Sequence, residues 1–155
     1  MGYAMLTILL VALDQLTKYL VRTHIGLGEH IPFLPGIMDL TYVQNTGAAF
    51  SLFQRHTGLL ALLSAVVVVV LLGVLWRGYI RHPFGVLSLT LILAGGVGNL
   101  IDRVLFGFVT DMFHTLFVRF AVFNVADICI TVGGVALAVY VMFFYDRMEP
   151  KGDRP

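Results

Sequence analysis

The residues able to do chemistry in this sequence fall in short polar clusters within oily surroundings. They are Asp14-Gln15-Leu16-Thr17-Lys18, Asn45-Thr46-Gly47-Ala48-Ala49-Phe50-Ser51, Gly98-Asn99-Leu100-Ile101-Asp102-Arg103, and Asp111 together with Asn124-Val125-Ala126-Asp127. Carboxylates and carboxamides dominate. Two carboxylates that meet in a poorly solvated place cannot both ionise easily, so they share one proton. The ionised group can take a proton from water while the protonated one donates to a carbonyl oxygen. Such acid–base work needs no metal, cofactor or nucleophilic side chain, and none is expected here.

Other chemistries fit the residues less well. The histidines, at 24, 30, 56, 82 and 114, lack the HExxH spacing of a zinc peptidase. Ser64 and Ser88 lie in apolar runs with no adjacent base. Ala94-Gly95-Gly96-Val97-Gly98 is not followed by Lys-Ser/Thr, so it reads as a close-packing helix face and not as a phosphate loop. Gly133 and Gly134 are candidates for the facing surface. Asp14 and Lys18 are four apart and share a helix face, either as a self-neutralising ion pair or as substrate contacts. Asn124 followed three residues later by Asp127 is a helix start. That accounts for two residues and leaves Asp14, Asp102 and Asp111 unexplained.

The elements that must position these groups are membrane spans. The chain has 155 residues, of which 59% are hydrophobic and only 12% charged, with a mean hydropathy of +0.92; soluble domains carry about 25% charged residues. A net charge of +1 offers no footprint for nucleic acid. The single cysteine, Cys129, can form no internal disulfide. One integral membrane domain is expected, an all-α bundle with four spans near residues 3–21, 59–76, 84–101 and 125–145. The apolar run 3–13 meets Asp14 without a small-residue cleavage pattern, so it reads as part of a retained span. The connections 22–58 and 102–124 are long, and their β-branched and aromatic stretches at 37–43 and 116–123 predict a small sheet on the membrane face.

Arg77 and Arg81 occupy the short link between the middle spans, and Arg147, Lys151 and Arg154 the tail. Positive charge flanking spans favours the cytoplasm. Both termini are therefore expected inside and both long loops outside, which gathers every polar cluster at the outer face. Intramembrane carboxylates also make proton relays, so a small proton-coupled transporter is the alternative. It would need carboxylates near the midplane and an inverted repeat, and neither is evident. A structural or chaperone-like membrane protein, its charges serving only as ion pairs, is a third reading.

Taken in order, the Asp14–Lys18, Asn45–Ser51 and Gly95–Arg103 clusters, then Val109-Thr110-Asp111 and Phe123-Asn124-Val125-Ala126-Asp127, resemble the lipoprotein signal peptidase (signal peptidase II) family of bacterial membrane aspartyl endopeptidases. The resemblance covers nearly the whole chain. It implies Asp111 and Asp127 as the catalytic pair, with Asp14, Asn45, Asn99, Arg103 and Asn124 lining or supporting the site; Lys18, on the same helix face as Asp14, is a further candidate for that support. It implies a diacylglyceryl-modified prolipoprotein as substrate, cut just before the lipidated cysteine, and a multi-pass enzyme of the bacterial inner membrane. A monomer in contact with membrane lipids is expected. Arg103 could instead be structural, paired with Asp102 or Asp14. Met112 departs from the family, where an aromatic residue is more usual. The loop bearing Asn45 is a candidate cover for the bound peptide.

Overall fold

Residues 1–47 and 57–145 are described by the computed structural model. Ala48 to Ser51 of the Asn45 cluster, His56, and the basic residues Arg147, Lys151 and Arg154 lie outside the described residues, as does the 48–56 part of the loop expected to cover the peptide. Among the described residues, four helices are long and apolar enough to cross a membrane. They are α1 (Gly2–His24), α2 (Thr57–Arg77), α3 (Pro83–Phe106) and α4 (Val125–Phe143). The strands β1 (His30–Leu34) and β2 (Met38–Asn45) lie between α1 and α2, and β3 (Val109–Thr115) between α3 and α4.

The helix ends follow local sequence. Pro83 opens α3, where its missing N–H costs nothing. Gly107 closes it in the left-handed conformation, φ 75°, with its N–H donating to the Arg103 carbonyl. Because this stop comes late, Asp102 and Arg103 sit in the last turns of α3. The expected boundary near residue 101 was too early. Asn124 caps α4 in a reciprocal capping box with Asp127.

The central helix is α3, which packs against the other three and against β3. By contrast α2 is apolar all round, with only Leu60 and Val68 buried, as suits a lipid-facing span. The glycine stripe does serve close packing. A Cβ on Gly95 would overlap the Ala126 carbonyl oxygen of α4, and one on Gly133 would come 2.8 Å from the Ser88 carbonyl oxygen of α3. Gly134 faces open space. The polarity of α1 is inverted: its buried residues are Asp14, Lys18 and Val21.

The sheet has antiparallel order β1-β2-β3. Pairing of β2 with β3 sets Val43 against Asp111 and Asn45 against Val109. The sheet rests on the end of α1 through Val21, Ile25 and Met112. Met112 is therefore a buried packing residue, which accounts for an apolar side chain there. The strand expected at 116–123 does not form. Phe123 makes a single bridge to Phe113, and Leu116, Phe117, Val118 and Phe120 are exposed. Among the described residues, 116–123 extend into no ladder of their own, and β-propensity alone does not make a strand. The third strand instead comes from residues 109–115, which place Asp111 inside the sheet.

Candidate functional site

The polar face of α1 is bound into the bundle at several points. Lys18 Nζ lies 2.9 Å from Asp14 Oδ2 and 3.4 Å from Asp102 Oδ2, and donates to Asn99 Oδ1 at 3.0 Å. The other Asp14 oxygen accepts the Ala126 backbone N–H in the first turn of α4, at 2.9 Å. Asp102 Oδ2 accepts the Thr110 N–H at 2.8 Å, tying α3 to β3. Asp14, Lys18 and Asp102 are all fully or almost fully buried. Buried charges are tolerated only when paired and hydrogen-bonded to this degree. The expected Asp14–Lys18 ion pair is thus present, as the centre of a larger network.

Asp111 and Asp127 lie at the far side of that network. Asp127 Oδ1 accepts from Asn99 Nδ2 at 2.8 Å, and its Oδ2 accepts the Asn124 backbone N–H at 3.2 Å. Asp111 Oδ1 accepts from Asn124 Nδ2 at 2.7 Å, and its Oδ2 from Asn45 Nδ2 at 3.0 Å. The same Asn124 amide nitrogen also donates to Asn99 Oδ1 at 3.2 Å, while its Oδ1 accepts the Asp127 N–H at 2.9 Å. Asn99 and Asn124 therefore bridge the two carboxylates and link them to Lys18.

Both carboxylates open on a cavity of about 450 Å³, which Asn45, Asn99 and Arg103 also line and which Phe120, Phe123 and Ile130 help to wall. Burial, and then the negative charge of Asp127, push the Asp111 carboxyl up to about 7. The hydrogen bonds from Asn45 and Asn124 and the charge of Lys18 act in the opposite direction without cancelling the rise. A carboxyl with that proton affinity, beside a second carboxylate on one cavity, is equipped for acid–base chemistry at neutral pH.

Arg103 does not pair with Asp102 or Asp14 among the described residues. Its Nη1 donates to Ser64 Oγ of α2 at 3.4 Å, and its Nε is buried without a partner among those residues. One residue further along a helix is a turn of about 100°. Asp102 consequently faces Lys18 and Arg22, and Arg103 the cavity and α2. All eight site residues expected from the sequence join this one constellation: Asp14, Lys18, Asn45, Asn99, Arg103, Asp111, Asn124 and Asp127.

Three further participants were not anticipated. Gln15 Nε2 reaches Asp14 Oδ2, the Gly98 carbonyl and Asp102 Oδ1 at 3.1, 3.1 and 3.3 Å. Arg22 lies 3.6 Å from Asp102 Oδ1, donates to Thr110 Oγ1 at 3.0 Å and covers the Phe106 ring. Thr110 is fully buried between Asp102 and Arg22. The helical series Asp14, Lys18, Arg22, at steps of four, was the available signal for Arg22.

Known proteins resemble this chain over most of its length. The family described as Signal peptidase (SPase) II matches residues 6–144. The chain is 46% identical over 142 residues to the lipoprotein signal peptidase of Streptococcus pneumoniae (strain ATCC BAA-255 / R6), covering 90% of this chain and 91% of that one. It is 47% identical over 136 residues to the lipoprotein signal peptidase of Streptococcus pyogenes serotype M5 (strain Manfredo), covering 85% and 87%. A bacterial membrane enzyme solved by the in meso method at 2.3 Å superposes with a TM-score of 0.89 at 24% identity, over 99% of this chain and 94% of that one. Another, at 1.9 Å, gives 0.84 at 26% identity, over 92% and 94%. These matches lend the transporter alternative no support. With a family match over most of its length and near relatives sharing almost half its residues, this multi-pass membrane protein belongs to the signal peptidase II family of peptidases.

Proposed function

We propose that the protein removes signal peptides from diacylglyceryl-modified prolipoproteins by an aspartyl mechanism, cutting just before the lipidated cysteine. The observation that carries this reading is that Asp111 and Asp127 open on one cavity and are joined through the amides of Asn124 and Asn99. In this mechanism Asp111, with its raised proton affinity, is the proton donor of the pair, and Asp127 acts as the base. Asp127 takes a proton from water, whose oxygen attacks the carbonyl preceding the cysteine. Asp111 donates its proton to the carbonyl oxygen as that oxygen gains charge. The tetrahedral species then collapses, the C–N bond breaks, and the proton on Asp127 passes to the leaving amine. The alcohol proton returns to Asp111, which restores the starting state. The proton belongs to the pair, so its titration is joint.

Asn45, Asn99 and Asn124 orient the carboxylates. Asp14 and Lys18 hold Asn99 and the start of α4. Arg103 supplies the one positive charge among the described residues lining the cavity, suited to a carbonyl or lipid ester oxygen. Acyl chains buried between spans contribute about 0.8 kcal/mol per methylene and would hold the scissile bond at the membrane surface. The reading places the protein as a single-domain monomer in the bacterial cytoplasmic membrane, with its termini inside and its site toward the outer face. The arginines at 77 and 81 support that orientation.

The test is cleavage of a synthetic diacylglyceryl-cysteine precursor peptide by the purified protein in detergent, with products identified by mass spectrometry. Cutting at the bond before the cysteine is expected. Equal cleavage of the peptide lacking the lipid would remove the proposed substrate class.

A further inference from the structure

Away from the carboxylate cavity, the three strands of the sheet bring together His30 of β1, Asp39 of β2 and His114 of β3. Asp39 and His114 are direct partners across β2 and β3, and His30 is diagonal to Asp39 across β1 and β2. One ligand atom from each of the three falls within 4.8 Å of the other two. His30 Nδ1 is 3.7 Å from Asp39 Oδ2, and the two imidazole rings meet edge to face at 5.0 Å. His114 Nδ1 is shielded from solvent and has no hydrogen-bond partner among the described residues.

We propose that His30, Asp39 and His114 form a binding site for a borderline divalent cation of the zinc class, which staples the three strands together. Two imidazoles and one carboxylate are a ligand set for zinc or copper, whereas calcium and magnesium require an all-oxygen shell. Zinc bonds to nitrogen and oxygen of about 2.0–2.2 Å place tetrahedral ligand atoms about 3.3 Å apart. Closing the present spacing to that value needs a small inward swing, and the His30 side chain, half exposed at 49%, is free to make it. The fourth position is left to water. Every residue of β1 is exposed, and among the described strands β1 hydrogen-bonds to β2 alone. The cation would tie this edge strand across β2 to β3, the two strands that carry Asn45 and Asp111. Its role is structural, and it stands independently of the proposed peptidase chemistry.

The experiment uses full-length, untagged protein in detergent, stripped with chelator and titrated with Zn²⁺ by calorimetry, with thermal unfolding followed in parallel. One zinc per chain is expected, together with a rise in the unfolding midpoint. His30→Ala and His114→Ala should each bind at least tenfold more weakly and lose that rise. Asp39→Asn, which keeps the shape and removes the charge, should weaken binding in the same direction, while His24→Ala should bind as the parent does. Absence of one-to-one binding in the parent, or unchanged binding in both histidine variants, would overturn the proposal and leave the cluster an ordinary surface ion pair.

Discussion

Asn124 donates to Asp111 Oδ1 at 2.7 Å from a side chain whose own oxygen accepts the N–H of Asp127 at 2.9 Å. The residue that starts α4 thus also sets the position of β3's carboxylate relative to that of α4. Helix capping and site assembly are one interaction here. In the proposed mechanism Asn124 is a positioning residue, acting through the pair.

Asn124→Ala should lower kcat by about a hundredfold, the scale of losing a group that aligns reacting carboxylates. Its hydrogen bond holds down the proton affinity of Asp111, so removing it should move the alkaline limb of the kcat profile to higher pH. Loss of the cap should cost about 1 kcal/mol of stability. A lower kcat with an unmoved pH profile would show that Asn124 acts only as a cap.

The raised proton affinity of Asp111 has a stability consequence. Its folded value of about 7 exceeds the ordinary 3.8, so between these values the folded state binds more protons than the unfolded one. Stability contributed by this group is therefore fully present below about pH 4, falls as pH rises and levels off above about 7, with a span of roughly 4 kcal/mol. Asp111→Asn should flatten this part of the profile and unfold at a higher temperature than the parent at pH 8. The measurement is the unfolding midpoint in detergent across that pH range. Parallel parent and variant profiles would contradict the assignment.

Lys18 is fully buried between Asp14, Asp102 and Asn99. Lys18→Met leaves buried Asp14 without its cation and Asp102 with Arg22 alone; breaking a buried pair typically costs 3–5 kcal/mol. Adding Asp14→Asn should recover part of the loss. Thermal unfolding of the single and double variants checks this. A near-neutral Lys18→Met would mean that the network does not hold the bundle.

Gly95 and Gly134 form a matched pair of tests. A methyl on Gly95 meets the Ala126 carbonyl and Ile130, whereas one on Gly134 meets open space. Gly95→Ala should cost about 1–3 kcal/mol through overpacking. It should also lower kcat, because separating α3 from α4 lengthens the Asn99–Asp127 hydrogen bond. Gly134→Ala should leave both unfolding and turnover near the parent values.

Much of this was legible in the sequence because bilayer physics makes it so. A span must be long and apolar, and a charge within one must be paired, so Asp14–Lys18 and the four helices could be read from hydropathy and spacing. Asn124 with Asp127 carried its own local helix-start signal. What was not legible depended on pairing across distance. Residues 109–115 form the third strand because β2 offers them a continuous partner, while 116–123, of similar propensity, form no ladder among the described residues. The end of α3 was misplaced because Asp102 looks like a helix exit until Lys18 and Arg22 are seen to neutralise it. The histidines showed no local spacing because His30, Asp39 and His114 meet only through the sheet.

The central claim is that Asp111 and Asp127 share the chemistry, and paired amide substitutions test it most directly. Asp111→Asn and Asp127→Asn, each purified in detergent and shown to unfold cooperatively, should be assayed by mass spectrometry on the diacylglyceryl-cysteine precursor peptide. The account predicts that the folded variants still bind the peptide and that each loses at least a thousandfold in turnover, the scale on which a group essential to proton transfer acts. Turnover within a few-fold of the parent in either variant would contradict it.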